Sequence, residues 1–187
     1  MKIGIYGGSF NPIHNAHIEI VKFVLDKLKL NKIIIIPVGT ASHRDDIVVE
    51  GKLRMKMCEL AFENEKNISV SDIEINENKV SYTIDTLHKI ISLYGEENEF
   101  FEIIGEDSAN YFSTWKEYEK ILELSKVVVF RREGYTGDIS HKNLIYLDTP
   151  LYDTSSTMIR KKIHNNEDIS KLVPEKVANF IKENSLY

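Results

Sequence analysis

Short continuous apolar runs alternate along this chain with stretches in which apolar residues return every three or four positions. Residues 3–6 form the first run, stopped by Gly7-Gly8. Residues 33–37 form the second, a β-branched run of the kind a strand buried on both faces requires. Between them Ile18, Val21, Val24, Leu25 and Leu28 recur at helical spacing. The alternation continues. Residues 53–62 predict a helix, 68–73 a strand, and 83–94 a helix closed by Gly95. Strands follow at 100–104, 127–130 and 144–147, with a helix over 118–124 between the first two. A helix over 156–163 comes next, and Pro174 opens a last one.

This order predicts an α/β fold: a doubly wound, mostly parallel sheet with helices on both faces. Such sheets bind ligands beyond the carboxyl ends of their strands, where strand order reverses. The chemistry is therefore expected in the segments just after strands: 7–17, 38–46, 105–115, 131–137 and 148–156. A length of 187 residues fits one domain, 1–187, with a helical C-terminal part from about 155.

The net charge of −5 argues against a general nucleic-acid binder while leaving room for a locally positive pocket. The single cysteine, Cys58, excludes an internal disulfide and sits in an apolar helical pattern, as a buried small hydrophobe does. No apolar run approaches the ~20 residues that cross a bilayer. The N-terminus turns glycine-rich too early for a signal peptide. Together these predict a cytoplasmic protein with no membrane partner.

Gly7-Gly8-Ser9-Phe10 follows the first strand, and His14 and His17 open the first helix. Glycines there let a backbone approach a ligand closely, and a helix start offers N–H groups and a positive dipole end to an anion. Histidines three apart share a helical face. Turn chemistry and a surface cap are the plain alternatives. Metal ligation is disfavoured, because two ligands on one helix face are best presented four residues apart. No metal ligands are therefore assigned. At the other end of the chain Ser155-Ser156-Thr157 starts a helix and Arg160 follows about one turn in. Hydroxyls there cap N–H groups or hold phosphate oxygens, and an arginine offers phosphate a two-pronged fork.

Gly8, Phe10, Pro12, His14 and His17 resemble the G-x-F-x-P-x-H-x-G-H signature of the nucleotidylyltransferase superfamily, with Ala16 where the family has glycine. Residues 154–160 resemble its I-S-S-T-x-I-R motif, with Thr154 replacing isoleucine. Ser81-Tyr82-Thr83, then Gly105-Glu106-Asp107-Ser108, Trp115, and Arg131-Arg132-Glu133-Gly134-Tyr135 resemble the bacterial nicotinate-nucleotide adenylyltransferases. His43-Arg44 matches the end of their P-P-H-K/R segment, with Ala41-Ser42 in place of the prolines. The resemblance spans the chain and implies a Rossmann-like fold and adenylyl transfer from ATP to nicotinate mononucleotide. It implies phosphate binding by His14, His17 and Arg160. ATP contacts fall to Gly7, Gly8, Ser9, Phe10, Gly105, Asp107, Ser155, Ser156 and Thr157. His43, Arg44, Thr83, Trp115 and Arg132 would hold the acceptor. Mg²⁺ would be bound through substrate phosphates, and a homo-oligomer is compatible with the family. Nicotinamide-mononucleotide or phosphopantetheine adenylyltransferases, cytidylyltransferases and a non-catalytic nucleotide sensor are the alternatives. A dinucleotide oxidoreductase is excluded, because no G-x-G-x-x-G follows the first strand.

Overall fold

The computed structural model describes residues 1–41, 49–75, 80–131, 141–150 and 153–187. In chain order the elements begin with β1 (Lys2–Gly8), α1 (Asn15–Lys27), β2 (Lys32–Pro37), β3 (Thr40–Ala41), α2 (Gly51–Phe62) and β4 (Ile68–Val70). They continue with β5 (Val80–Ser81), α3 (Thr83–Tyr94), β6 (Glu99–Gly105), α4 (Glu106–Ala109), a 3₁₀ turn (Phe112–Thr114) and α5 (Tyr118–Leu124). The last are β7 (Lys126–Arg131), β8 (Leu144–Asp148), α6 (Ser156–His164) and α7 (Glu175–Glu183).

Six strands form a parallel sheet in the order β4-β2-β1-β6-β7-β8. The first half of the chain builds outward from β1 in one direction, and the second half builds outward from β6 in the other. The reversal lies between β1 and β6, so the carboxyl-end crevice opens between Gly8 and Gly105.

The isoleucine run of β2 has a direct packing reason. Ile33 and Ile35 enter the core on one face, with Val21, Val24, Met57 and Val177. Ile34 and Ile36 enter the core on the other, with Ile84, Leu87, Ile90 and Ile121. Side chains alternate along a strand, so a strand covered by helices on both sides must be apolar throughout. Each such isoleucine contributes about 1.5–3 kcal/mol of burial. Cys58 is fully buried, and burial pushes its thiol pKa up.

Two sequence expectations are corrected. The strand expected over 68–73 stops at Val70: among the described residues β4 pairs with β2 alone, through Ile68, Ser69 and Val70. The Ser71 N–H still donates to Ile35 O at 2.9 Å, after which residues 72–75 turn. The turn puts Glu74 into the protein, where Thr86 Oγ1 donates to its Oε1 at 2.6 Å. The apolar spacing ran on because Ile73 packs on the core beneath α3. The segment after β6, expected as a loop, contains α4 and the 3₁₀ turn. The β3–β5 ladder is two residues long on each side, too short to leave a periodic signal. Among the described residues no helix is long and apolar enough to cross a membrane.

Candidate active site

The loop leaving β1 is anchored by Phe10. Its backbone is left-handed (φ 44°), and its ring is buried edge-on against Tyr6 and His17, with centroids 5.5 and 5.1 Å away. A Cβ at Gly8 would stand 3.0 Å from that ring, so this position takes glycine. Gly7 is exposed and a Cβ there would meet nothing within 4 Å, which marks the open lip of the crevice. Ser9 is half-buried between them and the anchor.

His14 is the residue before α1, and His17 lies in its first turn. Their rings stack at 3.7 Å between centroids, inclined by 26°. His14 is buried and His17 half-buried. The His14 backbone N–H donates to His17 Nδ1 at 3.3 Å, which leaves Nε2 to carry the proton of the neutral ring. Two N–H groups at the α1 start are already bonded within the protein. Leu172 O takes the Asn15 N–H at 2.9 Å, and His14 O takes the His17 N–H at 3.0 Å. Ala16 lies in the helix with no left-handed backbone and is buried, its methyl turned into the protein.

The second motif docks onto the first. Ser156 Oγ donates to Pro12 O at 2.9 Å, and Arg160 Nη1 donates to Asn11 O at 2.9 Å. Arg160 Nη2 also donates to Thr157 Oγ1 at 3.3 Å. Ser155 caps α6, its Oγ accepting the Met158 N–H at 3.2 Å. The hydroxyls thus act first as a cap and as fasteners between motifs, while Ser155 and Thr157 keep exposed surface. The Asn11 side chain is buried and accepts from the Tyr187 hydroxyl at 2.7 Å.

Across the crevice Gly105 precedes α4, with Asp107 in its first turn. Trp115 is half-buried with its ring centroid 5.3 Å from that of Phe112, so it covers the core edge and keeps part of its surface. Lys116 Nζ stands 3.0 Å from Asp85 Oδ2 and 5.0 Å above the Tyr82 ring. That bridge ties the Trp115 segment to the start of α3, where Thr83 sits. Arg131 lies over the Tyr146 ring at 4.6 Å, with Nη1 3.6 Å from Asp148 Oδ1, and so serves the strand end. His43, Arg44 and Arg132 lie outside the described residues. Among the described residues no group of three or more His, Cys, Asp or Glu side chains is arranged to hold a metal ion.

Sequence reasoning missed the half-buried Tyr187 and the buried Arg54. Tyr187 reaches Asn11 across the whole chain, and Arg54 is buried within α2. The clue to Arg54 was its position: Met57, Cys58 and Ala61, at i+3, i+4 and i+7, put it on the apolar stripe.

A cytidylyltransferase-like family model matches residues 5–162. A protein of Fusobacterium nucleatum subsp. nucleatum named "probable nicotinate-nucleotide adenylyltransferase" is 49% identical over 189 residues, which cover 98% of each chain. One of Clostridium novyi with the same name is 38% identical over 198 residues, covering 100% of this chain and 98% of that one. The chain belongs to the cytidylyltransferase-like family, among its nicotinate-nucleotide adenylyltransferases. The family's fold extends to a solved structure, the Plasmodium falciparum nicotinic acid mononucleotide adenylyltransferase complexed with NaAD. It matches with a TM-score of 0.78 at 22% identity, covering 100% of this chain and 97% of that one. Within the family frame, the departure at Ala16 is accommodated by an ordinary helical backbone.

Proposed function

We propose that this protein transfers the AMP group of Mg·ATP to nicotinate mononucleotide, releasing pyrophosphate and forming deamido-NAD for NAD biosynthesis. The observation that carries the reading is the docking of the two motifs, Ser156 on Pro12 and Arg160 on Asn11. It gathers two imidazoles and a guanidinium at one end of the crevice at which the sheet reverses. Those donors suit a triphosphate. They are cations and N–H groups rather than carboxylates, so Mg²⁺ comes with the ATP and supplies charge neutralisation on its phosphates.

The acceptor's phosphate monoester is already anionic and needs no general base. Its oxygen attacks the α-phosphorus in line as pyrophosphate leaves, and the protein's part is alignment and charge stabilisation. His17 Nε2–H and His14 donate to phosphate oxygens where charge builds up. Arg160 holds the outer phosphates together with the α6 start at Ser155, Ser156 and Thr157. Gly7, Gly8, Ser9 and Phe10 form the floor beneath the nucleotide. Gly105 and Asp107 meet its ribose. Trp115 offers the pyridine ring an aromatic face, and Thr83 at the start of α3 receives its carboxylate. His43, Arg44 and Arg132 bind the acceptor phosphate.

Pyrophosphate release with Mg·ATP and nicotinate mononucleotide, nicotinamide mononucleotide or phosphopantetheine in turn tests the reading. The expected result is release with the first at a much higher kcat/KM than with the others. Release only with another acceptor keeps the transfer chemistry and overturns the acceptor. No release with any of the three, from folded protein that binds ATP, overturns the enzyme.

A further inference from the structure

Arg54 is among the largest fully buried side chains in the protein, and its partners among the described residues are all backbone carbonyls. Nε donates to Val49 O at 2.9 Å and Nη1 to Ser9 O at 2.6 Å. Nη2 donates to Val38 O at 2.7 Å and to Gly39 O at 3.4 Å. One planar guanidinium thus joins three segments: the loop after β1, the loop after β2 and the turn entering α2. Burial pulls the Arg54 pKa down from its usual value, and the converging carbonyl dipoles favour the cation. Removing the group would leave up to four carbonyls, one buried and three partly buried, short of this donor, which is why a lysine or an apolar residue does not substitute simply.

The joint has a directional consequence. In a planar trans peptide the C=O and the following N–H point opposite ways. With Ser9 O drawn inward to Arg54, the Phe10 N–H is aimed away from it. With Val38 O and Gly39 O drawn inward, the N–H groups of Gly39 and Thr40 are likewise aimed away. The Val38 N–H, donating to Gly8 O at 2.9 Å, fixes the same two loops from their other side. The first of these loops is the nucleotide loop of the proposed reaction, and the second leads into His43-Arg44, assigned above to the acceptor.

We propose that Arg54 is a positioning residue that holds the nucleotide loop in fixed register with Val38 and Gly39 at the end of β2, so that the acceptor phosphate meets the α-phosphorus in line. This rests on the adenylyl-transfer reading above. Arg54 touches neither substrate. Its contribution appears only when both loops are occupied, so it governs turnover more than the binding of ATP alone.

The test uses the full chain with Arg54→Lys and Arg54→Gln, scored per folded molecule by near-UV circular dichroism. ATP affinity without acceptor is measured by calorimetry and turnover by pyrophosphate release. In-line alignment is sensitive to shifts near 1 Å, so kcat is expected to fall about 100-fold in both variants. ATP affinity is expected to change by less than about threefold. Wild-type kcat in folded Arg54→Lys overturns the proposal, as does an activity loss matched by an equal loss of ATP affinity. Failure of both variants to fold assigns Arg54 to the fold alone and also overturns it. A wild-type protein inactive with every acceptor removes the reading and this proposal together, whereas an active wild type beside unaffected variants removes this proposal only.

Discussion

Arg160 Nη1 lies 2.9 Å from the carbonyl oxygen of Asn11, although the two residues stand 149 apart in the chain. The bond joins the start of α6 to the loop leaving β1 and makes one site from the two ends of the sequence. Tyr187 adds a third segment to the joint by donating to Asn11 Oδ1 at 2.7 Å. Neither motif can shift without the other, so a ligand bridging them meets a surface whose parts are already in place. Such preorganisation removes an ordering cost from binding.

Arg160→Lys keeps the charge but loses the fork. A lysine ammonium cannot hold Asn11 O and a phosphate in one planar arrangement. A fall in kcat/KM for ATP of about 100-fold, or about 2.7 kcal/mol of transition-state stabilisation, is expected. Steady-state kinetics with ATP varied at saturating acceptor measures it. A variant with wild-type kcat/KM would show that Arg160 serves only to hold the loop.

His17→Ala removes the Nε2–H donor and the ring stacked on His14. Loss of one preorganised donor at a site of developing charge lowers kcat by about 10²–10³-fold. The fold should survive, because His17 is only half-buried and the α1 core face of Ile18, Val21 and Val24 is untouched. Turnover and thermal melting, measured together, check both halves. Direct transfer also predicts that no AMP is trapped on the denatured protein after incubation with labelled ATP.

Much of the fold was legible because the sequence states it locally. The β2 isoleucines read as a strand covered on both faces and are one. The α3 helix runs from Thr83 to Tyr94 as its spacing predicts, and ends where Gly95 takes φ 96°, a conformation other residues resist. What was illegible depends on partners distant in sequence. The spacing of Ile73 could not say that it serves a different face of the sheet. The apolar stripe of α2 includes Arg54 but could not name its partners, and the convergence of Ser9, Val38 and Val49 carbonyls makes it a buried joint. At the site, the His14–His17 pairing follows from a spacing of three. That Ser156 would bond Pro12, 144 positions away, does not follow from any spacing.

Ala16 replaces a motif glycine, and the structure predicts what restoring the glycine does. The residue is helical and 5% exposed. Ala16→Gly adds backbone freedom to the unfolded chain and removes a buried methyl, costing about 1–2 kcal/mol. For a chain of this size that corresponds to a melting temperature lower by about 2–8 °C. No gain in kcat is expected, because no left-handed backbone is needed there. A faster enzyme on Ala16→Gly would mean that the methyl restricts the phosphates after all.

Glu102 sits in the middle of β6, between Ile5 of β1 and Val127 of β7, and is 5% exposed. Its Oε2 is buried without a hydrogen-bond partner among the described residues. Burial, and then the nearby charge of Glu74, hold its carboxyl well above the usual carboxylate range. Below the ordinary value of about 4.3 the carboxyl is protonated in both folded and unfolded chains, and its contribution is complete. Above that value the unfolded chain ionises while the folded one keeps its proton. Stability is then lost at up to about 1.4 kcal/mol per pH unit until the raised folded pKa is passed. Glu102→Gln is neutral at every pH and close in shape, so it removes this slope. Thermal melts across the pH range should show the two proteins alike in acid and the variant increasingly the more stable as pH rises. Parallel curves for the two proteins would mean that Glu102 is ionised in the fold, stabilised by a partner that compensates its burial.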